Sequence, residues 1–201
     1  NAELCNLIAT TLLGCGLKKD QFTINVSNKK IIQGLIDELN ISPEKQTKVI
    51  RAIDKLYKPG FGLLGVEALL RKERKDSSGA ITKGADLNDT QVERILDFLK
   101  VKDLSKLKNK LTNPLSQEGI KEIENVFQIL GFGKYKDQVQ TNFTIVRGLA
   151  YYDGFIVETN LNFEVKNNKK KVIDIGSICS GGAYAKLISR FKGVDIPGTG
   201  I

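Results

Sequence analysis

Apolar residues recur along this chain in two rhythms, one of three to four residues and one of two, and each change of rhythm marks a new element. Leu4, Leu7, Ile8, Thr11 and Leu12 keep helical spacing and stop at Gly14 and Gly16, which predicts an amphipathic helix closed by glycine. Phe22, Ile24 and Val26 then alternate with Thr23, Asn25 and Ser27, a strand with one apolar face. Ile31, Ile32, Leu35, Ile36 and Leu39 return to the helical rhythm. Ser42-Pro43-Glu44 is a helix start, with a hydroxyl cap, a proline where no N–H is needed and an acid in the first turn. That helix carries Val49, Ile53, Leu56 and Tyr57 inward and ends at Pro59-Gly60. Another short helix is expected over 62–74, then a Ser-, Gly- and Asp-rich loop over 75–85. Asn88 with Gln91 forms a capping box ahead of Val92, Ile95, Leu96 and Leu99. Leu104, Leu107 and Leu111 carry the helical period to Asn113-Pro114, so 44–110 reads as helices and loops without a strand.

Ile120, Ile123, Phe127 and Leu130 make one more helix, closed by Gly131 and Gly133. The period then becomes two. Phe143 and Ile145, residues 151–158, Leu161, Phe163 and Val165, and residues 172–179 read as antiparallel strands, with an exposed turn at 167–170. Gly181-Gly182 is expected to open a helix through Leu187 and Ile188. The outline is α+β, with strands towards both ends and a helical insertion between them.

Composition narrows the chemistry. No apolar run approaches the roughly 18 residues of a membrane span, and no basic-then-apolar leader opens the chain. Cys5, Cys15 and Cys179 are few, far apart and odd in number, which suits free thiols in a reducing compartment. There is no histidine, so a Ser-His-Asp or Cys-His centre, a His-ligated metal and a histidine base are excluded within these residues. There is no methionine either, and the chain is expected to be a piece of a longer protein. Lys and Arg total 31 against 23 Asp and Glu, a net charge of +8. Residues 44–110 hold a net +6 of it. Such an excess suits a nucleic acid or another polyanion and equally a solvated lysine-rich surface.

Two segments could carry chemistry. In residues 146–154, Arg147 stands beside Gly148, where a fixed guanidinium fork and a missing side chain would let a phosphate or carboxylate approach closely. The plain alternative is a β-hairpin turning at Asp153-Gly154, with Tyr151 and Tyr152 as ordinary packing. The second segment is Ser180-Gly181-Gly182-Ala183-Tyr184, whose backbone N–H groups at a helix start could face an anion. A tight strand-to-helix connection explains it equally well. Neither a P-loop nor a G-x-G-x-x-G pattern is present.

Arg147-Gly148-Leu149-x-Tyr151-Tyr152, some thirty residues ahead of Cys179-Ser180-Gly181-Gly182-x-Tyr184, resembles the two signature motifs of histidyl-tRNA synthetases. The run Arg190-Phe191-Lys192-Gly193 to Pro197-Gly198-Thr199-Gly200 looks like the approach to that family's third class II motif. The helix-strand-helix opening and the insertion, including residues 74–85, also fit, so the resemblance covers essentially the whole chain in order. It implies an antiparallel class II catalytic core, its first part at 1–41 and its second at 114–201, interrupted by a helical insertion at 42–113.

Carried over residue by residue, the resemblance implies that Arg147 is the catalytic arginine beside the histidine carboxylate and the α-phosphate of ATP. Tyr151, Tyr152 and Tyr184 match positions that bind substrate histidine, and Gly181, Gly182 and Gly200 with Arg147 match the adenylate and ATP pocket. ATP with Mg is implied as a substrate, with histidine and tRNA(His) as the others. A cytoplasmic homodimer, paired through residues outside this chain, is implied as well, with no membrane partner and no protein-held metal. The insertion would lie against tRNA, with Lys100, Lys102, Lys106, Lys108 and Lys110 as candidate contacts or as a solvated helix face. The family's first two class II motifs would precede Asn1, so the piece alone is not expected to catalyse anything. The chain departs from the pattern at Ala150, Ala183 and Ala185, where the family has an acid, an arginine and an aspartate. Those alanines favour a second reading, a synthetase-like paralogue that serves as the regulatory subunit of ATP phosphoribosyltransferase. A third is a generic nucleic-acid-binding domain without a small-molecule pocket.

Overall fold

The alternation at 22–28 becomes the strand around which the sheet is assembled. A computed structural model of the chain describes residues 1–75, 79, 81–146, 152–194 and 196–201, with the backbone alone at 185, 188, 190 and 192. In chain order, α1 (Ala2–Gly14), β1 (Phe22–Asn28), α2 (Lys29–Glu38), α3 (Pro43–Ile53) and α4 (Gly62–Leu70) come first. A short ribbon of β2 (Glu73–Lys75) and β3 (Ile81–Lys83) follows, then α5 (Asp89–Leu99), α6 (Leu104–Lys110) and α7 (Pro114–Leu130). The chain closes with β4 (Val139–Thr141), β5 (Phe155–Leu161), β6 (Val165–Lys166), β7 (Val172–Ile173), β8 (Ser177–Ala183), α8 (Ala185–Lys192) and β9 (Thr199–Gly200).

The main sheet has the order β4-β1-β5-β8-β9 and is antiparallel except where β4 runs parallel to β1. Its two faces differ because side chains alternate along each strand. Phe22, Ile24, Val26, Phe155 and Val157 are buried on one face, in the core that also holds the apolar stripes of α2 and α7. Thr23, Asn25, Glu158 and Asn160 share the other face, which is polar.

Helices α2 and α7 approach closely at small residues. A Cβ at Gly34 would lie 2.6 Å from the Ser116 backbone nitrogen, and one at Gly119 would lie 2.9 Å from Ile31 Cγ1. The Ser116 hydroxyl donates to the Ile31 carbonyl at 2.9 Å across the same contact, so a buried polar group is satisfied there. Capping follows the side-chain chemistry. Asn88 and Gln91 form the reciprocal box, with Gln91 N–H to Asn88 Oδ1 at 2.9 Å and Asn88 N–H to Gln91 Oε1 at 3.1 Å. Asn28, Asp103 and Asn113 accept from the first turns of α2, α6 and α7.

Several expectations are corrected. Ser42 precedes α3 but makes no capping bond to its backbone; the hydroxyl serves the Glu44 carboxylate instead. Residues 73–75 and 81–83, read as helix end and loop, pair as a ribbon, Arg74 opposite Thr82. Helix α4 stops at Leu70 because the chain turns back: the Ala85, Asp86 and Leu87 N–H groups take the carbonyls of Leu69, Arg71 and Leu70. Phe143 and Ile145 are buried but lie in a turn. Asn142 Oδ1 accepts from the Thr144 N–H at 3.1 Å and from its hydroxyl at 2.6 Å, an Asx-type closure that competes with a strand. The run 172–179 divides into β7 and β8 at Gly176, whose φ of +68° suits glycine and whose N–H donates to Asp174 Oδ1.

Candidate functional site

At one end of the sheet, Tyr152, Ile145 and Ile156 form a small buried cluster apart from the main core, and Tyr184 packs against it. The register explains the meeting. Ile156 stands opposite Gly182 across β5 and β8, which brings a tyrosine just ahead of one strand to a tyrosine just past the other. Gly182 then stands opposite Gly200 across β8 and β9.

The glycines here are demanded by close approach. A Cβ at Gly182 would sit 2.9 Å from Tyr152 Cδ1 and would strike the Phe155 carbonyl. One at Gly200 would sit 2.5 Å from Tyr184 Oη. One at Gly181 would collide with the Gly200 carbonyl and with Ile201. The two tyrosine rings therefore lie over a floor of backbone in which a side chain has no room.

Gly181 and Gly182 lie within β8 and do not open a helix, because pairing on both sides keeps them extended. An anion site at the start of α8 has no support either: Asp153 Oδ2 accepts from the Lys186 N–H at 2.7 Å in that first turn. The Asp153 N–H also donates to the Ala183 carbonyl at 2.9 Å, so Asp153 ties the loop before β5 to the end of β8. It turns no tight hairpin with Gly154, whose carbonyl accepts from the Lys29 N–H. Arg147 and Tyr151, with Gly148, Leu149 and Ala150, lie outside the described residues. Of the sequence-derived candidates, the structure brings together Tyr152, Gly181, Gly182, Tyr184 and Gly200.

Beside this cluster the polar face of the sheet forms the floor of a cleft of about 530 Å³, which Ile145 also lines. An amide chain crosses the floor. Gln140 Nε2 donates to Asn25 Oδ1 at 2.8 Å, Asn25 Nδ2 to Asn160 Oδ1 at 3.0 Å, and Asn160 Nδ2 to the Gly176 carbonyl at 3.2 Å. The far wall comes from the segment after α3, with Tyr57 and Lys58, and the Tyr57 hydroxyl pairs with Thr144 Oγ1 at 3.1 Å. Behind the loop at 152–154, Glu122 of α7 accepts from Asn28 Nδ2 and from Lys30 Nζ, both at 2.5 Å. Burial disfavours the Lys30 ammonium, yet its bonds to Glu118 and Glu122 prevail and hold it above the usual lysine value.

Sequence reading passed over the amide chain and Glu122, and it placed Tyr57 inward on its helix, whereas α3 stops at Ile53 and Tyr57 stands exposed beyond that end. Asn25 alone carried a signal, as a polar position in a strand, but its partners lie 115 and 135 residues away. Of the candidate lysines, Lys108 pairs with Glu124 of α7 at 2.8 Å and Lys100 with Asp97 at 3.1 Å, which leaves Lys102, Lys106 and Lys110 pointing to solvent without an ion pair among the described residues. No group of three or more Cys, Asp or Glu side chains that could hold a metal comes together among the described residues. No helix among them is long and apolar enough to cross a membrane.

The family model described as histidyl-tRNA synthetase matches residues 1–201. A histidine–tRNA ligase of Pelagibacter ubique is 71% identical over the whole of this chain, which spans 43% of that relative. One of Rhizobium leguminosarum is 35% identical, again over the whole chain and 41% of the relative. The chain thus spans about two fifths of the length of the curated relatives it matches. Among solved structures, histidyl-tRNA synthetase from Nostoc superposes with a TM-score of 0.75 at 27% identity, over 98% of this chain and 43% of that one. An ATP phosphoribosyltransferase regulatory subunit/histidyl-tRNA synthetase from Bacillus halodurans shares the fold, with a TM-score of 0.70 at 16% identity over 98% of this chain and 45% of that one.

Proposed function

We propose, for a chain that belongs to the histidyl-tRNA synthetase family, that the full-length protein activates histidine with ATP and transfers it to tRNA(His). In the first step a carboxylate oxygen of histidine attacks the α-phosphorus of ATP. The bond to the bridging oxygen breaks, and pyrophosphate leaves with the electron pair. In the second step a hydroxyl of the terminal ribose of the tRNA attacks the acyl carbon, loses its proton, and AMP departs.

The observation that carries this reading is the convergence of Tyr152 and Tyr184 over a glycine floor, from two motifs far apart in the chain. In this proposal Tyr151, Tyr152 and Tyr184 hold the histidine. A neutral imidazole has one donor and one acceptor nitrogen, and phenol hydroxyls serve both. Gly181, Gly182 and Gly200 form the floor of the adenylate pocket, since a side chain at any of them would strike the strands and tyrosines that shape it. Arg147 faces the carboxylate and the α-phosphate, where a fixed guanidinium steadies the charge that develops during phosphoryl transfer. Mg arrives with the ATP phosphates as part of the substrate. The insertion at 42–113 lies along the tRNA, with Lys102, Lys106 and Lys110 as candidate contacts that have no ion pair among the described residues, and Lys100 and Lys108 engaged with Asp97 and Glu124. The protein works in the cytoplasm as a homodimer joined through residues outside this chain.

The test is histidine-dependent ATP–pyrophosphate exchange on the full-length protein, with the other amino acids as controls. Exchange with histidine alone supports the ligase. Saturable histidine binding without exchange would favour the second reading, a regulatory subunit of ATP phosphoribosyltransferase, which rests on alanines at 150, 183 and 185. The name carried by the relative at 71% identity favours the ligase.

A further inference from the structure

Strands β6 and β7 form a two-stranded ribbon of their own, Val165 opposite Ile173 and Lys166 opposite Val172, between β5 and β8 of the main sheet. Its tip concentrates charge: Lys166, Lys169, Lys170 and Lys171 are four cations within six residues. All four are exposed, and none has a carboxylate within ion-pair distance among the described residues. The acids of the ribbon, Glu164 and Asp174, lie at its base.

The tip is also ordered by its own bonds. Asn167 Oδ1 accepts from the N–H groups of Lys169 at 2.9 Å and Lys171 at 3.0 Å. The Asn167 N–H donates to the Lys171 carbonyl at 2.9 Å, and Lys170 takes the left-handed conformation with φ +59°. Lysines at 169, 170 and 171 are thereby fanned around a closed turn, and their repulsion is left uncompensated. Such a turn suits a polyanion with several phosphates in a row, which would release counterions on contact.

The place of the ribbon narrows the partner. Asn162, Asp174 and Gly176 at its base line the same cleft as Asn25 and Asn160. A strand that enters the cleft over this part of its rim passes the base of the ribbon. Its exposed apolar residues, Phe163, Val172, Ile173 and Ile175, sit on the stem, while the tip is Asn-Asn-Lys-Lys-Lys. A membrane-seeking ribbon would carry its apolar residues at the tip.

We infer that the β6–β7 ribbon grips the phosphate backbone of an RNA strand whose end reaches the cleft, through Lys166, Lys169, Lys170 and Lys171. The partner is the tRNA of the proposed reaction, so the identity of the RNA rests on that reading, whereas the surface does not. The contact is positional and independent of sequence.

The experiment uses the full-length protein with all four lysines changed to Gln, and labelled tRNA(His) in an anisotropy titration from 50 to about 200 mM salt. A control variant loses four lysines outside both the ribbon and the insertion, at 18, 121, 134 and 136. Each phosphate contact contributes roughly 0.7–0.9 to the slope of log affinity against log salt. The ribbon variant is expected to bind at least tenfold more weakly at low salt, with a slope shallower by about 2–3. Its histidine-dependent pyrophosphate exchange, which needs no RNA, is expected to match the parent. Unchanged affinity and slope would overturn the inference. So would an equal loss in the control, which would reduce the effect to net charge, or an unchanged tRNA affinity with loss of binding to phosphatidylserine vesicles. Absence of exchange in the unmutated protein would count against the synthetase reading alone, and the ribbon would still be judged by RNA binding.

Discussion

Replacing Gly200 with alanine should weaken histidine binding through a tyrosine sixteen residues away. A Cβ at Gly200 lies 2.5 Å from Tyr184 Oη and 3.4 Å from its Cε1 and Cζ. Ordinary contact begins near 3.4 Å, so the hydroxyl must retreat by about 0.9 Å, and the ring that carries it rigidly must swing with it. Gly200 is not among the glycines with positive φ, and the backbone accepts alanine without strain of its own. A hydrogen bond to a ligand does not survive a displacement of that size. Its loss is worth about 1 kcal/mol, or roughly fivefold in affinity. Calorimetric titration of histidine, with KM values for histidine and ATP from pyrophosphate exchange on the full-length protein, reads the effect. Histidine affinity should fall about fivefold, and the KM for ATP should hold. Tyr184→Phe should cost the same amount, since it removes the same hydroxyl. The double variant should be no worse than either single one, because the atom that alanine strikes is gone. Additive losses, or a Gly200→Ala effect confined to ATP, would refute this account of the glycine.

Three further outcomes are expected. Arg147→Ala in the full-length protein should slow adenylate formation by ~10²–10³, the size of losing one transition-state donor, and unchanged single-turnover kinetics would remove Arg147 from the reaction. Gly34→Ala should destabilise the fold by about 1–3 kcal/mol, because the added methyl meets Ser116 and Asn113 where α2 touches α7 and can move neither helix freely; the urea midpoint of this chain checks it. Burial pushes the Cys5 thiol up from 9.0 to about 12, so the unfolded chain releases that proton first. Stability should therefore fall as pH climbs from 9 towards 12, by at most about 1.4 kcal/mol per unit, and Cys5→Ala should flatten that part of the urea-midpoint profile.

Local pattern carried the helices well, because their apolar stripes and caps are short-range. The box at Asn88 and Gln91, the glycine end of α1 and the alternation of β1 all need only neighbours within four residues. It failed where a distant partner decided the conformation. Residues 73–75 and 81–83 contain no strand rhythm, and it is their mutual pairing, with the return of 84–87 onto the end of α4, that extends them. Gly181-Gly182 looked like a helix opening because glycine pairs often are one. In the fold, β5 and β9 press on them from both sides, and only a residue without a side chain fits.

The site was legible in part for a similar reason. Tyr152 and Tyr184 stood out because they sit in two motifs, but nothing in the spacing of those motifs says that they meet. What joins them is the register of one strand pair, Ile156 on Gly182. Slipping β8 by a single residue would turn Gly182 to the opposite face and set Gly181 or Ala183 opposite Ile156 in its place, which undoes the meeting of the two tyrosines. The amide chain depends on register still more heavily. Asn25, Gln140 and Asn160 come from three strands, each an unremarkable polar position by itself. Aligned, they satisfy one another across the cleft floor. The chemistry of this surface is therefore written in the pairing of strands, and substitutions that leave every site residue intact but shift β8 should abolish it just as completely.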